Sequence, residues 1–192
     1  VVKVVSPDIA HKSKLGGVRR IFTHDELFVK YVVSTMKTTV LSHFDEGSKP
    51  RIEGFLLIET IDFRESLGYE IMMGMKLDRD FGPVMTLSKG GDDAEFFAKH
   101  YDPANLFLPY LTEEAAAELV RGIHIRQKYE QIGHPEYIDL LSHTISVLSG
   151  LAYTFSPLCR EKADYHIKGM DINPFVITRD HRLVAIDGYA EF

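Results

Sequence analysis

The sequence has 192 residues, 45% hydrophobic and 26% charged, a globular balance that excludes disordered, collagen-like and coiled-coil chains. Lys and Arg number 22 against 28 Asp and Glu, and the formal net charge of −6 argues against a coat for nucleic acid. The single cysteine, Cys159, excludes an internal disulfide, and no apolar run approaches the roughly 18 residues of a membrane span. We therefore expect a cytoplasmic protein with neither membrane nor nucleic acid as a partner.

Val1 to Val5 read as a buried strand that enters a turn at Ser6-Pro7-Asp8. A chain rarely opens in mid-strand without Met, so we expect residues upstream of Val1. A loop from Ile9 to Gly17 leads to a short strand near Val18 to Phe22. Thr23 and Glu26 have the spacing of a capping box, and Leu27, Tyr31, Val32 and Met36 recur at helical intervals until about Phe44. Gly54 to Glu59 form an apolar strand. Tyr69 to Leu77 and Pro83 to Leu87 form an antiparallel pair turned at Asp78 to Gly82, and Lys89-Gly90-Gly91-Asp92 break the pattern. Helices follow over Thr112 to Gln131 and Glu136 to Phe155, each with an apolar face. The chain closes as strand, Asn173-Pro174 kink, strand Phe175 to Thr178, turn Arg179 to His181 and strand Leu183 to Asp187. Helices mixed with antiparallel strands indicate an α+β fold.

Four groups could carry chemistry. Lys3 is a lone cation in an apolar strand, facing away from Val2 and Val4. It fits a solvated edge strand, or a cation held to meet a phosphate. Lys12, Lys14, Gly16 and Gly17 follow, and adjacent glycines let a backbone approach an anion and turn its N–H groups toward it. Glu59 and Glu70 sit beside apolar strand residues, as solvated termini or as ligand contacts. Asp171 and Asn173 alternate onto one strand face, and Asp187 ends the strand that pairs back. Such a hairpin gathers hard oxygen donors suited to Mg²⁺ or Mn²⁺, unless Asn-Pro is only a turn. Nine histidines show no tight ligand spacing, and with one cysteine and no HxxxH there is no zinc motif. GxSxG, Walker and GxGxxG motifs are absent.

Five segments share an order and spacing: VVKVVSPDIAHKSKLGGV, EGFLLIE, YEIMMGMKLDRDFGPVM, the Gly90-Gly91 pair, and MDINPFVI with VAIDG. Together they resemble the ATP-grasp domain of the ADP-forming acyl-CoA synthetases, of acetyl-CoA type. The beta subunits of succinyl-CoA synthetase are more distant relatives that share the Asn-Pro strand and the closing Asp. The resemblance implies two α+β lobes with largely antiparallel sheet and the nucleotide between them. Residues 1–59 would be the remainder of the first lobe, whose opening segment is missing, and residues 60–192 the second lobe with the metal-binding strands.

By position, the resemblance assigns Lys3 to the α/β-phosphates of ATP/ADP and Gly16-Gly17 to the loop over the phosphates. Glu59, Thr60 and Ile61 fall at the adenine hinge, and Glu70 at a nucleotide contact. Asn173 and Asp187 fall on Mg²⁺ positions with Asp171 near them, and His11 matches a phosphoryl-relaying histidine. The implied reaction converts acid, CoA and ATP to acyl-CoA, ADP and phosphate. It needs as partner a CoA-binding alpha-type subunit or fused domain bearing the main phosphohistidine. Gly169 stands where the family has an acidic residue, and the segment after Gly90-Gly91 is acidic and lacks the family's Arg. These departures admit an alternative: a catalytically weakened nucleotide-sensing module of a larger fused acetyltransferase-type protein.

Overall fold

The structure is a computed structural model that describes residues 1–9, 12–23, 25–91, 94, 105–109, 111–160 and 163–192. Two compact units divide it, Val1–Ile61 and Asp62–Phe192. Every pairing between the named strands of both units is antiparallel, and helices cover sheets, which is the α+β class expected. No helix of the described residues is long and apolar enough to cross a membrane.

In the first unit, β1 (Val2–Val5) lies between β2 (Val18–Arg19) and β3 (Gly54–Leu57), and α1 spans Glu26–Leu41. Strand alternation turns Val2 and Val4 inward, where they pack with Val32, Met36 and Val40, one helical turn apart on α1. Burying each such side chain contributes roughly 1.5–3 kcal/mol. Lys3 thus lies on a central strand, opposite Val18 and Leu56, and the edge-strand reading is excluded.

The capping box is displaced. Asp25, not Thr23, caps α1, its Oδ1 accepting the Phe28 N–H at 2.8 Å, while Thr23 Oγ1 accepts the Asp25 N–H. Starting the helix there leaves Leu27 and Tyr31 77% and 65% exposed, off the buried stripe they were expected to share with Met36.

The second unit holds the larger core. Its sheet runs β6 (Leu106–Phe107), β5 (Gly82–Lys89), β4 (Glu70–Asp78), β7 (Gly169–Ile177) and β8 (Leu183–Ala185), with β9 (Gly188–Glu191) also on β7. The β4–β5 turn closes because Asp78 Oδ1 accepts the N–H groups of Asp80 and Phe81, and Gly82 adopts φ +73°. Those two donors hold the Asp78 carboxyl below the usual carboxylate range.

The helix expected over Thr112 to Gln131 is two helices, α2 (Glu113–Gly122) and α3 (Ile125–Gln131). Ile123 is extended at the end of α2 and interrupts the ladder, although the apolar spacing runs on through it. α4 spans Tyr137–Thr154. Ile71, Met73 and Met75 of β4, Met85 and Leu87 of β5, and Phe175 and Ile177 of β7 pack in one cluster with α2, α3 and α4.

Candidate functional site

Because Ile71, Met73 and Met75 point into the core, Glu70, Met72, Gly74 and Lys76 stand on the other side of β4. The register sets Gly74 opposite Thr86 of β5 on one side and Asp171 of β7 on the other. A Cβ at Gly74 would stand 2.6 Å from Asp171 Oδ1 and 2.8 Å from Thr86 Oγ1. Both side chains lean over the bare glycine, so any larger residue there would have to push them aside. Burial pushes the Asp171 carboxyl above its ordinary pKa, although its outer edge stays exposed. A cation beside it would relieve that penalty.

A second group lies along the same strands. Gly90 continues the ladder, its N–H donating to Glu70 O at 3.0 Å, and a Cβ there would meet the Ile71 backbone at 2.7 Å. Gly91, at φ +81°, donates its N–H to Asn173 Oδ1 at 2.9 Å. A Cβ on Gly91 would stand 2.6 Å from Glu70 Oε1, so the paired glycines let Glu70 and Asn173 approach the same bend. Opposite Met72 the ladder slips, giving β7 an extra residue around Asn173-Pro174, a cis peptide within a continuous strand. Such bulges re-aim side chains. Asn173 N–H in turn donates to Asp187 O at 3.1 Å, and Asp187 Oδ1 accepts the Gly188 N–H. The structure therefore brings Glu70 to Asn173 and Asn173 to Asp187, with Asp171 two residues along β7.

Glu70, Asp171 and Asp187 do not converge into a closed carboxylate cage. Among the described residues, the one group of three or more His, Cys, Asp or Glu ligand atoms within 4.8 Å lies elsewhere. An open row of hard oxygen donors still fits Mg²⁺, which keeps several waters and completes its shell with phosphate oxygens.

In the first unit, Lys3 is half-buried on the outer side of β1. Gly16, at φ +73°, ends the 3₁₀ turn Ser13–Leu15. The expected free amides are engaged there: Gly16 N–H donates to Ser13 O and Gly17 N–H to Lys12 O. Gly17 O accepts the Val4 N–H at 2.8 Å, which fastens this turn to the strand carrying Lys3. Glu59 and Thr60, beyond the end of β3, are exposed and Ile61 is half-buried. The strand before them is less buried than its apolar sequence suggests, with Leu56 and Leu57 half exposed. His11 lies outside the described residues.

Gly74 and Thr86 were not anticipated as site residues. The signal was available, since a lone glycine within the apolar run Ile71-Met-Met-Gly-Met75 marks a close approach rather than a turn.

The family model of the ATP-grasp domain matches residues 1–190. The chain belongs to the ATP-grasp family. Among its ATP-grasp relatives is the 4-hydroxybutyrate–CoA ligase (ADP-forming) of Nitrosopumilus maritimus, 29% identical over 179 residues. That alignment takes in 92% of this chain but 23% of the ligase, so the chain spans under a quarter of that relative. The beta subunit of acetate–CoA ligase (ADP-forming) I of Pyrococcus furiosus is 27% identical over 194 residues, 97% of this chain and 72% of the subunit. The fold also matches an acetyl-coenzyme A synthetase 1 of Ca. Korarchaeum cryptofilum, solved with coenzyme A, acetyl-coenzyme A and a phosphorylated phosphohistidine segment. The TM-score is 0.68 at 18% identity, over 98% of this chain and 73% of that one, a likeness of fold.

Proposed function

We propose that this chain binds ATP with Mg²⁺ as the ATP-grasp part of an ADP-forming acyl-CoA synthetase of acetyl-CoA type. The carrying observation is the outer side of the second unit's sheet, where Gly74 and Gly91 are kept bare so that Asp171, Thr86, Glu70 and Asn173 can crowd together. Asn173, Asp187 and Asp171 are the residues that would hold the cation. When bound, Mg²⁺ offsets the closely spaced phosphate charges.

The remaining roles follow the residues' positions in the family pattern. Lys3 contacts the α/β-phosphates, and the Gly16-Gly17 turn covers them. Glu59, with the Thr60 and Ile61 backbone, receives adenine, and Glu70 contacts the nucleotide. The γ-phosphoryl group leaves ATP for a histidine nitrogen, with His11 as a relay, and then passes to the acid. CoA displaces phosphate to give acyl-CoA. CoA and the principal phosphohistidine belong to a CoA-binding alpha-type subunit or fused domain, the partner that this reading requires.

Titration calorimetry with Mg–ATP tests the site. Lys3→Ala and Asp187→Asn should each weaken binding about tenfold, equivalent to about 1.4 kcal/mol. Unchanged affinity in both variants would remove the assignment. Gly169 supports a second reading, as a nucleotide-sensing module with weakened catalysis. It stands opposite Lys76 and two residues before Asp171, and leaves this side of the sheet without the family's acid. Labelled ATP separates the two in the full-length protein: label on the partner histidine identifies the synthetase, and binding without transfer identifies the sensor.

A further inference from the structure

The link from α3 to α4 and the turn from β7 to β8 bring together three side chains that the nucleotide assignment does not use. His134 is fixed at both ends of its backbone: its N–H donates to Tyr129 O at 2.9 Å, and its carbonyl accepts the Tyr137 N–H at 3.2 Å. Its ring stacks on Tyr137 with centroids 4.8 Å apart, and its Nδ1 lies 2.8 Å from Glu136 Oε1. From the other element comes His181, whose Nδ1 is 2.7 Å from the Tyr137 hydroxyl and whose ring centre is 5.0 Å from that of His134.

Among the described residues His181 is the one non-glycine residue with positive φ, at 59°. That backbone costs about 1–2 kcal/mol in an ordinary residue. The tight β7–β8 turn, closed by His181 N–H to Thr178 O and Thr178 N–H to Arg182 O, sets that backbone and so brings a second imidazole beside the His134–Glu136 pair.

One ligand atom from each of His134, Glu136 and His181 lies within 4.8 Å of the other two. Two imidazoles and one carboxylate suit Zn²⁺ and its transition-metal neighbours rather than Mg²⁺, and three protein ligands leave a fourth position for water. Metal–ligand bonds of about 2.0–2.1 Å set tetrahedral ligands roughly 3.3 Å apart. Rotation of the exposed Glu136 side chain, with a small tilt of the His181 ring about its Tyr137 hydrogen bond, supplies the closure. The Tyr137 phenol already holds the His181 ring, as the outer hydrogen-bond partner of a metal-bound histidine does.

We propose that His134, Glu136 and His181 form a site for a divalent transition-metal ion, Zn²⁺ by its donor set, distinct from the nucleotide assignment. Bound there, the ion ties the α3–α4 link to the turn that follows β7, the strand bearing Asp171 and Asn173.

The test titrates Zn²⁺ into the chain by calorimetry without nucleotide, so its failure leaves the ATP reading standing. Cys159→Ser in every sample removes the free thiol from competition. One Zn²⁺ per chain should bind, with a raised melting temperature, and Mg²⁺ should not substitute. His134→Ala and His181→Ala should each lower zinc affinity on the order of tenfold or more, and Glu136→Gln severalfold. Retention of full zinc affinity by both histidine variants would overturn the proposal, as would no binding to the parent at about 100 μM Zn²⁺. If a variant fails to fold, imidazole NMR of the parent decides. Zinc-dependent shifts should be confined to His134 and His181, and shifts at other histidines instead would overturn the site.

Discussion

In Val1–Ile61, the sheet turns Val2 and Val4 inward and leaves Val5 and Leu56 36% and 50% exposed on the other side, flanking Lys3. In Asp62–Phe192, the equivalent outer side carries Glu70, Thr86, Asp171 and Asn173 instead. Both sheets obey the same two-residue alternation, so the inner residues of each identify the fold. Outer residues are under a weaker packing demand, and their chemistry therefore says more about what suits that side. Oxygen donors over two bare glycines suit ions and polar ligands; a mostly apolar side with one cation does not build a metal site by itself.

Adjacent residues of β4 give the strongest test of that division. Ile71 is fully buried, whereas Met72 is half-buried on the outer side. Ile71→Ala should lower unfolding free energy by about 3–4 kcal/mol, through lost burial and the cavity left behind. Met72→Ala should cost about 1 kcal/mol or less. Urea unfolding followed by circular dichroism reads both, and equal losses would show that the two sides are not distinct.

Gly74→Ala sharpens the same comparison from the outer side. The new methyl meets Asp171 Oδ1 and Thr86 Oγ1 well inside van der Waals distance, and both side chains have solvent into which to swing. The fold should survive with a loss of about 1 kcal/mol, while Mg–ATP affinity falls roughly tenfold because Asp171 is moved. A variant that binds Mg–ATP like the parent would detach Asp171 from the nucleotide reading.

Legibility in the sequence followed the range of the determining interactions. The β4–β5 pair and α4 were legible because alternation and helical spacing act within a few residues. The cap of α1 was misplaced, since Thr23 and Asp25 both offer an oxygen and only the backbone path selects Asp25. The break after Gly122 was hidden by apolar spacing that continues through it. β9 gave no signal, because all four of its residues are exposed and no burial pattern marks them. Asn173 and Asp187 were readable as facing strand residues, but the Gly91–Asn173 hydrogen bond joins distant segments. His134 and His181 are likewise far apart in the sequence, so no spacing motif could have announced that pair.

The smallest expected effect lies on the inner side and has the opposite sign. Tyr129 of α3 is fully buried, edge-on to Tyr137 with ring centres 5.5 Å apart, and its hydroxyl finds no hydrogen-bond partner among the described residues. An orphaned buried hydroxyl costs roughly 1–3 kcal/mol of desolvation, whereas its ring contributes favourably. Tyr129→Phe keeps the ring and removes the orphan, so stability should rise by about 1 kcal/mol. Desolvation, reinforced by neighbouring Tyr137 and Tyr69, also pushes the Tyr129 phenol far above its ordinary pKa of 10.0. A phenol raised in the folded state favours folding below the unfolded pKa, and that contribution fades as pH climbs past about 10 and the unfolded chain ionises. Urea midpoints measured from pH 8 to 11 should therefore fall less steeply for Tyr129→Phe than for the parent. A variant less stable than the parent at pH 8, with an unchanged slope above pH 10, would show that the hydroxyl is satisfied in solution.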